Sequence, residues 1–458
     1  MADRATDHTA RQGPSLLPAR PRVGVVLAAG RSERLSGLTH NGSKALIRLG
    51  GLALVERAAR GLLACGIREV VVVVGHQAGP VAAIANRIAP GLVRAVLAEG
   101  WEAGNGASLA AAEPYVAEEE LFAVVTVDHL FGEGSLEALV DAGDPAVLVD
   151  HVPAPAVWHE GTRVHIDAGT AVAFGKELDA PTIDCGAFLL SPRIFRHHEA
   201  AAARGDASLS AAVTSFAAGE RLRAIPLPPG AWWHDVDTRE DVRIARRLLR
   251  RSLVKSEDGP VSRLLNRPVS TRLSIALAAI RPSPDLISVL ALVLGIVAAG
   301  LLAAGAGVAG GVMVHVASIV DGMDGELARL QLRARPLGAF LDGIADRLAD
   351  AAIVAGLGVW AIERSGGATA VWITVAAAAG SMLSMASKDR IAALGLSRPI
   401  ERGPGYALAG RDGRLLLVTV GALFGRPLLA LAAVALTSGI ALVLRALSVR
   451  SPGPDSSF

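Results

Sequence analysis

From residue 284 onward the chain is built from apolar runs in close succession, covering roughly 286–303, 305–320, 339–362, 367–386, 414–425 and 427–447. About 20 apolar residues of helix cross a hydrocarbon core of about 30 Å. The runs therefore predict six spans, the fifth of them short. Arginine and lysine crowd the loops from Arg329 to Arg335 and from Lys388 to Arg402, which puts both loops on the cytoplasmic face. An even number of spans returns the C-terminus to that face, where Arg445 and Arg450 sit. The stretch VSRLLNRPVSTRLSIALAAI (261–280) is too polar to span. It reads either as an amphipathic helix lying in the interface or as a solvated linker.

Before residue 250 the pattern is different. VGVVLAAG (23–30), EVVVVVG (69–75), FAVVTVD (122–128) and AVLVD (146–150) are short β-branched runs, separated by amphipathic stretches such as LALVERAARGLLACG (52–66). That alternation predicts a Rossmann-like α/β domain on a mainly parallel sheet, with ligands at the carboxyl ends of its strands. The expected organisation is a disordered lead-in at 1–21, a soluble domain at 22–252, and a linker with the interfacial helix at 253–283. An all-α six-helix transmembrane domain then covers 284–448, followed by a disordered tail at 449–458. With 19% charged residues and a net charge of +2, nothing marks a nucleic-acid partner. Two cysteines, Cys65 and Cys185, make no disulfide framework and fit a reducing compartment. The first twenty residues lack the apolar core of a signal peptide.

Within the apolar half lies DGMDGELARLQLRARPLGAFLDGIAD (321–346). Asp321 and Asp324 are three apart and Asp342 and Asp346 four apart, so each pair shares a helix face. Two adjacent helices would aim four carboxylates into one space. Such groups near a bilayer must find partners, and the sequence offers no matching number of basic residues. Divalent cations, Mg²⁺ or Mn²⁺, suit hard oxygen ligands, and paired ions can grip a pyrophosphate during phosphoryl transfer. Gly325, Ala328 and Gly338 leave room for a nucleotide to approach the backbone. These residues resemble the CDP-alcohol phosphotransferase family, whose signature D-x-x-D-G-x-x-A-R-x8-G-x3-D-x3-D is matched at every defining position. The resemblance implies that Asp321, Asp324, Asp342 and Asp346 are metal ligands and that Asp346 activates the acceptor hydroxyl. It also implies that Gly325, Ala328, Arg329 and Gly338 contact the nucleotide. SPDLIS (283–288) resembles the opening of the family's first span, with Asp285 in place of the usual Asn. Lys388, Asp389, Arg390 and Arg411 either bind the acceptor's phosphate or are plain cytoplasmic-side charges.

In the first half, VGVVLAAGRSERLSGLTHNGSKALIRLGG (23–51) joins a strand to a turn and then a lysine. Backbone N–H groups of Leu27, Ala28, Ala29 and Gly30 can meet phosphate oxygens, and Arg34 and Lys44 add positive charge. Ser43-Lys44 reverses the P-loop order, and no GxGxxG follows the strand, so neither nucleotide motif applies. The segment resembles the sugar-nucleotide pyrophosphorylase family, with Ser32 and Ser43 in place of that family's second Gly and Pro. Asp128-His129 at a strand end and WWHDVDTREDVRIARRLL (232–249) extend the likeness. It implies that Asp128 and Asp237 hold the Mg²⁺ of a nucleoside triphosphate, with Asp235 the competitor of Asp237. WEAGNGAS (101–108) resembles the base-contacting loop, through Asn105 and Ser108. IDCGAFLLS (183–191) resembles the strand near the sugar phosphate, bringing in Asp184.

The order of the halves, and the junction KSEDGPVSRLLNRPVS (255–270), resemble fusions that join inositol-1-phosphate cytidylyltransferase to di-myo-inositol phosphate phosphate synthase. That implies CTP and inositol-1-phosphate as substrates, CDP-inositol as intermediate, and a compatible-solute precursor as product. The implied enzyme is a multi-pass protein of the cell inner membrane with both sites on the cytoplasmic side, and a homodimer through the membrane domain is open to it. The alternative keeps both chemistries but uses a lipid acceptor drawn from the bilayer. A membrane-anchored nucleotide-binding module leaves the four acids without a purpose.

Overall fold

The six residues VGVVLA are buried at every position, as expected of a parallel strand covered on both faces. They form β1 (Val23–Ala28) in a computed structural model that describes residues 20–31, 42–255, 258–394, 396 and 408–448. The expected lead-in, Arg34, most of the second basic loop and the C-terminal tail lie wholly or largely outside those residues. Two compact units divide between Arg247 and Leu248.

In the first unit, α1 (Leu54–Ala64) leads from β1 to β2 (Glu69–Val74), and α2 (Ala78–Ile88) leads on to β3 (Val93–Leu97). Leu54, Val55, Ala58, Ala59 and Leu62 are buried along one face of α1, at the period of an amphipathic helix. The chain then returns past β1 to β4 (Phe122–Thr126). After the short β5 (His129–Phe131) come β6 (Ala146–Asp150), β7 (Arg163–Asp167), β8 (Thr170–Gly175), β9 (Ile183–Leu190), the helix α3 (Ile194–Ala203), β10 (Arg223–Pro226) and β11 (Trp233–Asp235). The nine-stranded sheet runs β3-β2-β1-β4-β9-β6-β10-β8-β7. Because β1 lies between β2 and β4, the crevice at their carboxyl ends is a topological switch point, the usual place for a ligand.

The expected mainly parallel sheet is corrected here. Parallel pairing holds from β3 to β4 and between β6 and β10. Strand β9 runs antiparallel to β4 and β6, and β8 runs antiparallel to β7 and β10. One cause is local: Ala168 and Gly169 both have positive φ, 45° and 76°, between the paired residues Asp167 and Thr170. Positive φ at both central residues fits a two-residue hairpin turn of the twist-matched kind, and a connection that short joins only antiparallel strands.

The second unit contains α5 (Arg267–Leu277), α6 (Pro284–Ala303), α7 (Gly307–Leu330), α8 (Pro336–Ser365), α9 (Gly367–Ala393), α10 (Arg411–Leu423) and α11 (Pro427–Ser448); α4 (Arg239–Arg251) precedes them across the division. The expectation of six spans is also corrected. Among the described residues three helices are long and apolar enough to cross a membrane: Pro284–Ala303, Gly367–Ala393 and Pro427–Leu447. Helices α7 and α8 are long but interrupted by acids and arginines. Helix α10 has 13 residues, about 20 Å at 1.5 Å per residue, short of the core thickness. The chain is thus a multi-pass membrane protein carried by those three helices.

Ala298, Leu302, Val314, Ile353, Leu357, Trp360 and Val434 form the centre of this unit. Helices α6 and α8 come close because Gly356 has no side chain: a Cβ there would fall 2.2 Å from the carbonyl oxygen of Ala299. Helix α5 is fixed to α7 by polar contacts. The Glu326 carboxylate, fully buried, accepts from Arg267 Nη1 at 2.6 Å, Ser270 Oγ at 2.6 Å and Ser274 Oγ at 2.7 Å. Leu264, Leu265, Val269 and Leu273 face outward from the same segment.

Candidate active sites

The first site lies at the carboxyl ends of β1 and β4. Leu27 and Ala28 end β1, and Ala29 is buried behind them, its carbonyl accepting from His76 N at 2.9 Å. At Gly30 the space where a Cβ would stand is open. Asp128 and His129 follow β4. Strand β11 pairs antiparallel with β5, so that Asp235 stands opposite His129. Val236 N–H donates to Asp128 O at 3.1 Å. This small ladder brings residues a hundred positions apart into one cluster. Lys44, at the start of the short helical turn Lys44–Leu46, reaches it, its Nζ paired with Asp128 and, at 2.8 Å, with Asp237 Oδ1. Asp237 is not the cap of α4. Thr238 and Asp241 form that cap reciprocally, Thr238 N–H donating to Asp241 Oδ2 at 2.7 Å and Asp241 N–H to Thr238 Oγ1 at 3.2 Å.

His129 is held by three groups. Its Nδ1 meets Thr126 Oγ1 and, at 2.9 Å, Asp128 Oδ1, and its ring stacks on Trp233 at 5.3 Å. Gly186 makes the space: its φ is +68°, and a Cβ would fall 2.6 Å from Thr126 Oγ1 and 2.8 Å from His129 Nδ1. Burial works against a charged imidazole, but Asp235 and Asp128 outweigh it and push His129 up to about 9. For Asp128 burial acts upward, and Lys44 and His129 hold it well below the usual carboxylate range. Burial and the neighbouring Asp128 and Asp237 push Asp235 up to about 7, against the pull of His129 and Lys44. Burial also raises Asp184, whose Oδ1 accepts from Gly186 N at 2.8 Å. A cavity of about 490 Å³ opens onto these groups, with Asn105, Lys176 and Ser208 on its wall. Ser108 does not line it: the residue is buried, and its hydroxyl donates to Gly104 O at 3.2 Å.

The second site is built between α7 and α8. Asp321, Asp342 and Asp346 each offer an oxygen within 4.8 Å of the others. Asp324, the fourth signature acid, accepts from Ser288 Oγ on α6 and from Gly325 N, and it lies within hydrogen-bonding reach of Asp342. Arg411, at the start of α10, enters this cluster. Its Nη1 pairs with Asp321 and, at 3.1 Å, with Asp346 Oδ1, and its Nε donates to Asp350 Oδ1 at 3.0 Å. Near Gly338 a Cβ would meet only Asp285 Oδ1, at 4.0 Å, and near Gly325 only Arg329 Nη1, at 3.3 Å. Arg329 Nη2 donates to Leu253 O at 3.0 Å, and Ala328 lies on the same turn of α7. Asp285 pairs with Arg335 at 2.7 Å, and Asp389 pairs with Arg347.

Both clusters suit a divalent cation by their own chemistry. Asp128, His129 and Asp235 offer ligand atoms within 4.8 Å of one another, as do Asp321, Asp342 and Asp346. In the first, Asp235 Oδ1 is buried without a hydrogen-bond partner; in the second, the one guanidinium of Arg411 pairs with Asp321 and Asp346 and leaves the three clustered carboxylates under-compensated. A buried anionic oxygen left unpaired is costly, and a cation supplies the missing partner. Two groups have no role in the sequence reading: His129, the neighbour of Asp128, and Asp350, one turn past Asp346. Arg411, expected to bind the acceptor's phosphate or to be a plain charge, is placed among the acids instead. Four-residue spacing after Asp346 was the signal for Asp350; nothing local marked Arg411 as a partner of the acids.

Residues 24–252 match the MobA-like NTP transferase domain, and residues 282–405 match the CDP-alcohol phosphatidyltransferase family. A "Bifunctional IPC transferase and DIPP synthase" of Rubrobacter xylanophilus is 39% identical, over 88% of this chain and 90% of that protein. Its namesake in Aquifex aeolicus is 33% identical over 73% and 76%. A "Phosphatidylinositol phosphate synthase" of Mycobacteroides abscessus is 32% identical over 36% of this chain and 73% of its own. The solved inositol-1-phosphate CTP transferase from T. maritima is 22% identical over 50% of this chain and 97% of its own, with a TM-score of 0.45. Two transferase signatures on one chain, with relatives that align through both, lead to one conclusion: the chain belongs to the family of bifunctional IPC transferases and DIPP synthases.

Proposed function

We propose that the first unit makes CDP-inositol from CTP and inositol-1-phosphate, and that the second transfers phosphoinositol from it to another inositol-1-phosphate. The observation that carries this reading is the alignment of the Rubrobacter relative through both halves, over 90% of its length. In the first step a phosphate oxygen of inositol-1-phosphate attacks the α-phosphorus of CTP, and pyrophosphate leaves. Lys44 meets the negative charge growing on the phosphates, Asn105 faces the base from the cavity wall, and the backbone of Leu27 to Gly30 offers N–H donors. Asp128 and Asp237, or Asp235 in place of Asp237, would hold Mg²⁺ with His129 beside them.

In the second step a hydroxyl of the acceptor inositol attacks the β-phosphorus of CDP-inositol. The bond to the α-phosphate breaks, CMP leaves, and di-myo-inositol phosphate phosphate forms. Asp346, among the clustered acids and beside Arg411, takes the hydroxyl proton. Asp321, Asp324, Asp342 and Asp346 would hold Mg²⁺ or Mn²⁺, while Gly325, Ala328, Arg329 and Gly338 border the nucleotide. The divalent ions supply neutralisation of the phosphate charge. Domain limits of 22–252 and 284–448 fit this division of labour, and the basic residues from Arg329 to Arg335 favour a cytoplasmic orientation of both sites.

The likeness to a phosphatidylinositol phosphate synthase, together with the CDP-alcohol phosphatidyltransferase match of residues 282–405, favours a second reading, in which the acceptor is a lipid. Purified protein given CTP and radiolabelled inositol-1-phosphate separates the two. A labelled water-soluble phosphodiester formed without lipid supports the first reading. Label that enters organic solvent, and only when lipid is added, overturns it.

A further inference from the structure

Asp350 lies one turn beyond Asp346 on α8, outside the acid signature, with its side chain 4% exposed. Its Oδ1 accepts from Arg411 Nε at 3.0 Å, while Nη1 of the same guanidinium reaches Asp321 and, at 3.1 Å, Asp346. One end of Arg411 therefore grips two of the three clustered carboxylates, and the other end grips a carboxylate outside that group. Arg414 Nη2, 3.8 Å from Asp350 Oδ2, borders Asp350 on its other oxygen. Arginine keeps its charge at any working pH. A cation approaching Asp321 and Asp346 thus meets a positive group on the oxygens it needs, and Arg411 can yield only by moving.

We propose that Asp350 is a positioning residue for the metal centre. It retains Arg411 by Nε as a pivot, so that the Nη1 end swings off Asp321 and Asp346 when a divalent cation arrives. Without Asp350 the guanidinium falls back fully on those two carboxylates and competes with the cation. The proposal rests on the reading of Asp321, Asp342 and Asp346 as a divalent-cation site.

The test is Mn²⁺ binding, without nucleotide, to full-length protein in detergent. Asp128→Ala and Asp235→Ala are present throughout to silence the soluble cluster. Asp350→Asn should weaken Mn²⁺ binding roughly tenfold and Arg411→Gln should tighten it roughly tenfold, the scale of one charge contact in a partly desolvated site. In the Arg411→Gln background, Asp350→Asn should change affinity by less than about twofold, because its effect passes through the arginine. Asp350→Glu, which keeps the charge, should restore binding. Asp350→Ser repeats the cycle if the Asn variant does not fold. Equal weakening by Asp350→Asn in both backgrounds would make Asp350 a plain charge and overturn its role, as would weaker binding by Arg411→Gln. Failure of both the parent and Arg411→Gln to bind Mn²⁺ would overturn the metal reading itself, and the proposal with it.

Discussion

Replacing Lys44 with alanine removes the cation that joins Asp128 to Asp237. Its side chain is 16% exposed and the two carboxylates 18% and 16%, so water screens the contact only in part. Breaking a buried pair by removing one partner costs about 3–5 kcal/mol. At about 2–4 °C per kcal/mol for a domain of this size, the unit's melting midpoint should fall by about 10 °C in EDTA. Mg²⁺ should recover much of the loss, because a ligand that binds only the folded state stabilises it, and the uncompensated acids bind the ion more tightly. Catalysis should not recover, since Lys44 meets the triphosphate. Formation of CDP-inositol should drop by about two orders of magnitude or more, while transfer from supplied CDP-inositol proceeds at the wild-type rate. The assay is thermal unfolding with EDTA or Mg²⁺, combined with separate measurement of the two steps. Near-normal first-step turnover, or a midpoint unchanged in EDTA, would refute the assignment of Lys44 to the triphosphate site.

Each of Asp321→Asn, Asp324→Asn, Asp342→Asn and Asp346→Asn should abolish transfer from CDP-inositol while the first unit still accumulates it; two or more variants above about a tenth of the wild-type rate would sink the shared-metal arrangement. The folded-state values of Asp235, about 7, and His129, about 9, both lie above their unfolded ones. Stability from such groups is full at low pH and is lost as pH rises. In EDTA the first unit should therefore weaken between about pH 4 and pH 9, Asp235 acting in the lower part and His129 in the upper. Asp235→Asn should flatten the lower part, and a wild type more stable at pH 8 than at pH 5 relative to that variant would contradict the sign. Gly186→Ala should cost at least about 1–2 kcal/mol for its left-handed backbone and displace His129. Urea unfolding within about 0.5 kcal/mol of wild type, or an unimpaired first step, would show that the site tolerates a Cβ there.

Residue order alone determined the two chemistries. The signature acids share helix faces at spacings of three and four, and a helix carries that geometry wherever it packs. Continuous apolar runs likewise marked β1, β2, β4 and β6, since burial on both faces leaves no other pattern. The apolar runs of the second half were also legible as helices, but the number able to cross a membrane was not. Counting apolar residues ignored how charge on α7 and α8 and the shortness of α10 disqualify a segment.

Only the tertiary structure decided the sheet's mixed direction, although Asp167-Ala168-Gly169-Thr170 carried a hairpin signal that went unread. It alone brought His129 against Asp235 and Trp233, because the pairing of β5 with β11 joins residues about a hundred positions apart. The same holds for Arg411 among Asp321, Asp346 and Asp350. A lone arginine at a helix start has no periodicity to betray its partners; the packing of α10 against α7, from which the Arg411 side chain reaches α8, chooses them. Local spacing fixes which groups share a face, whereas long-range packing selects which faces meet and therefore which charges must compensate one another.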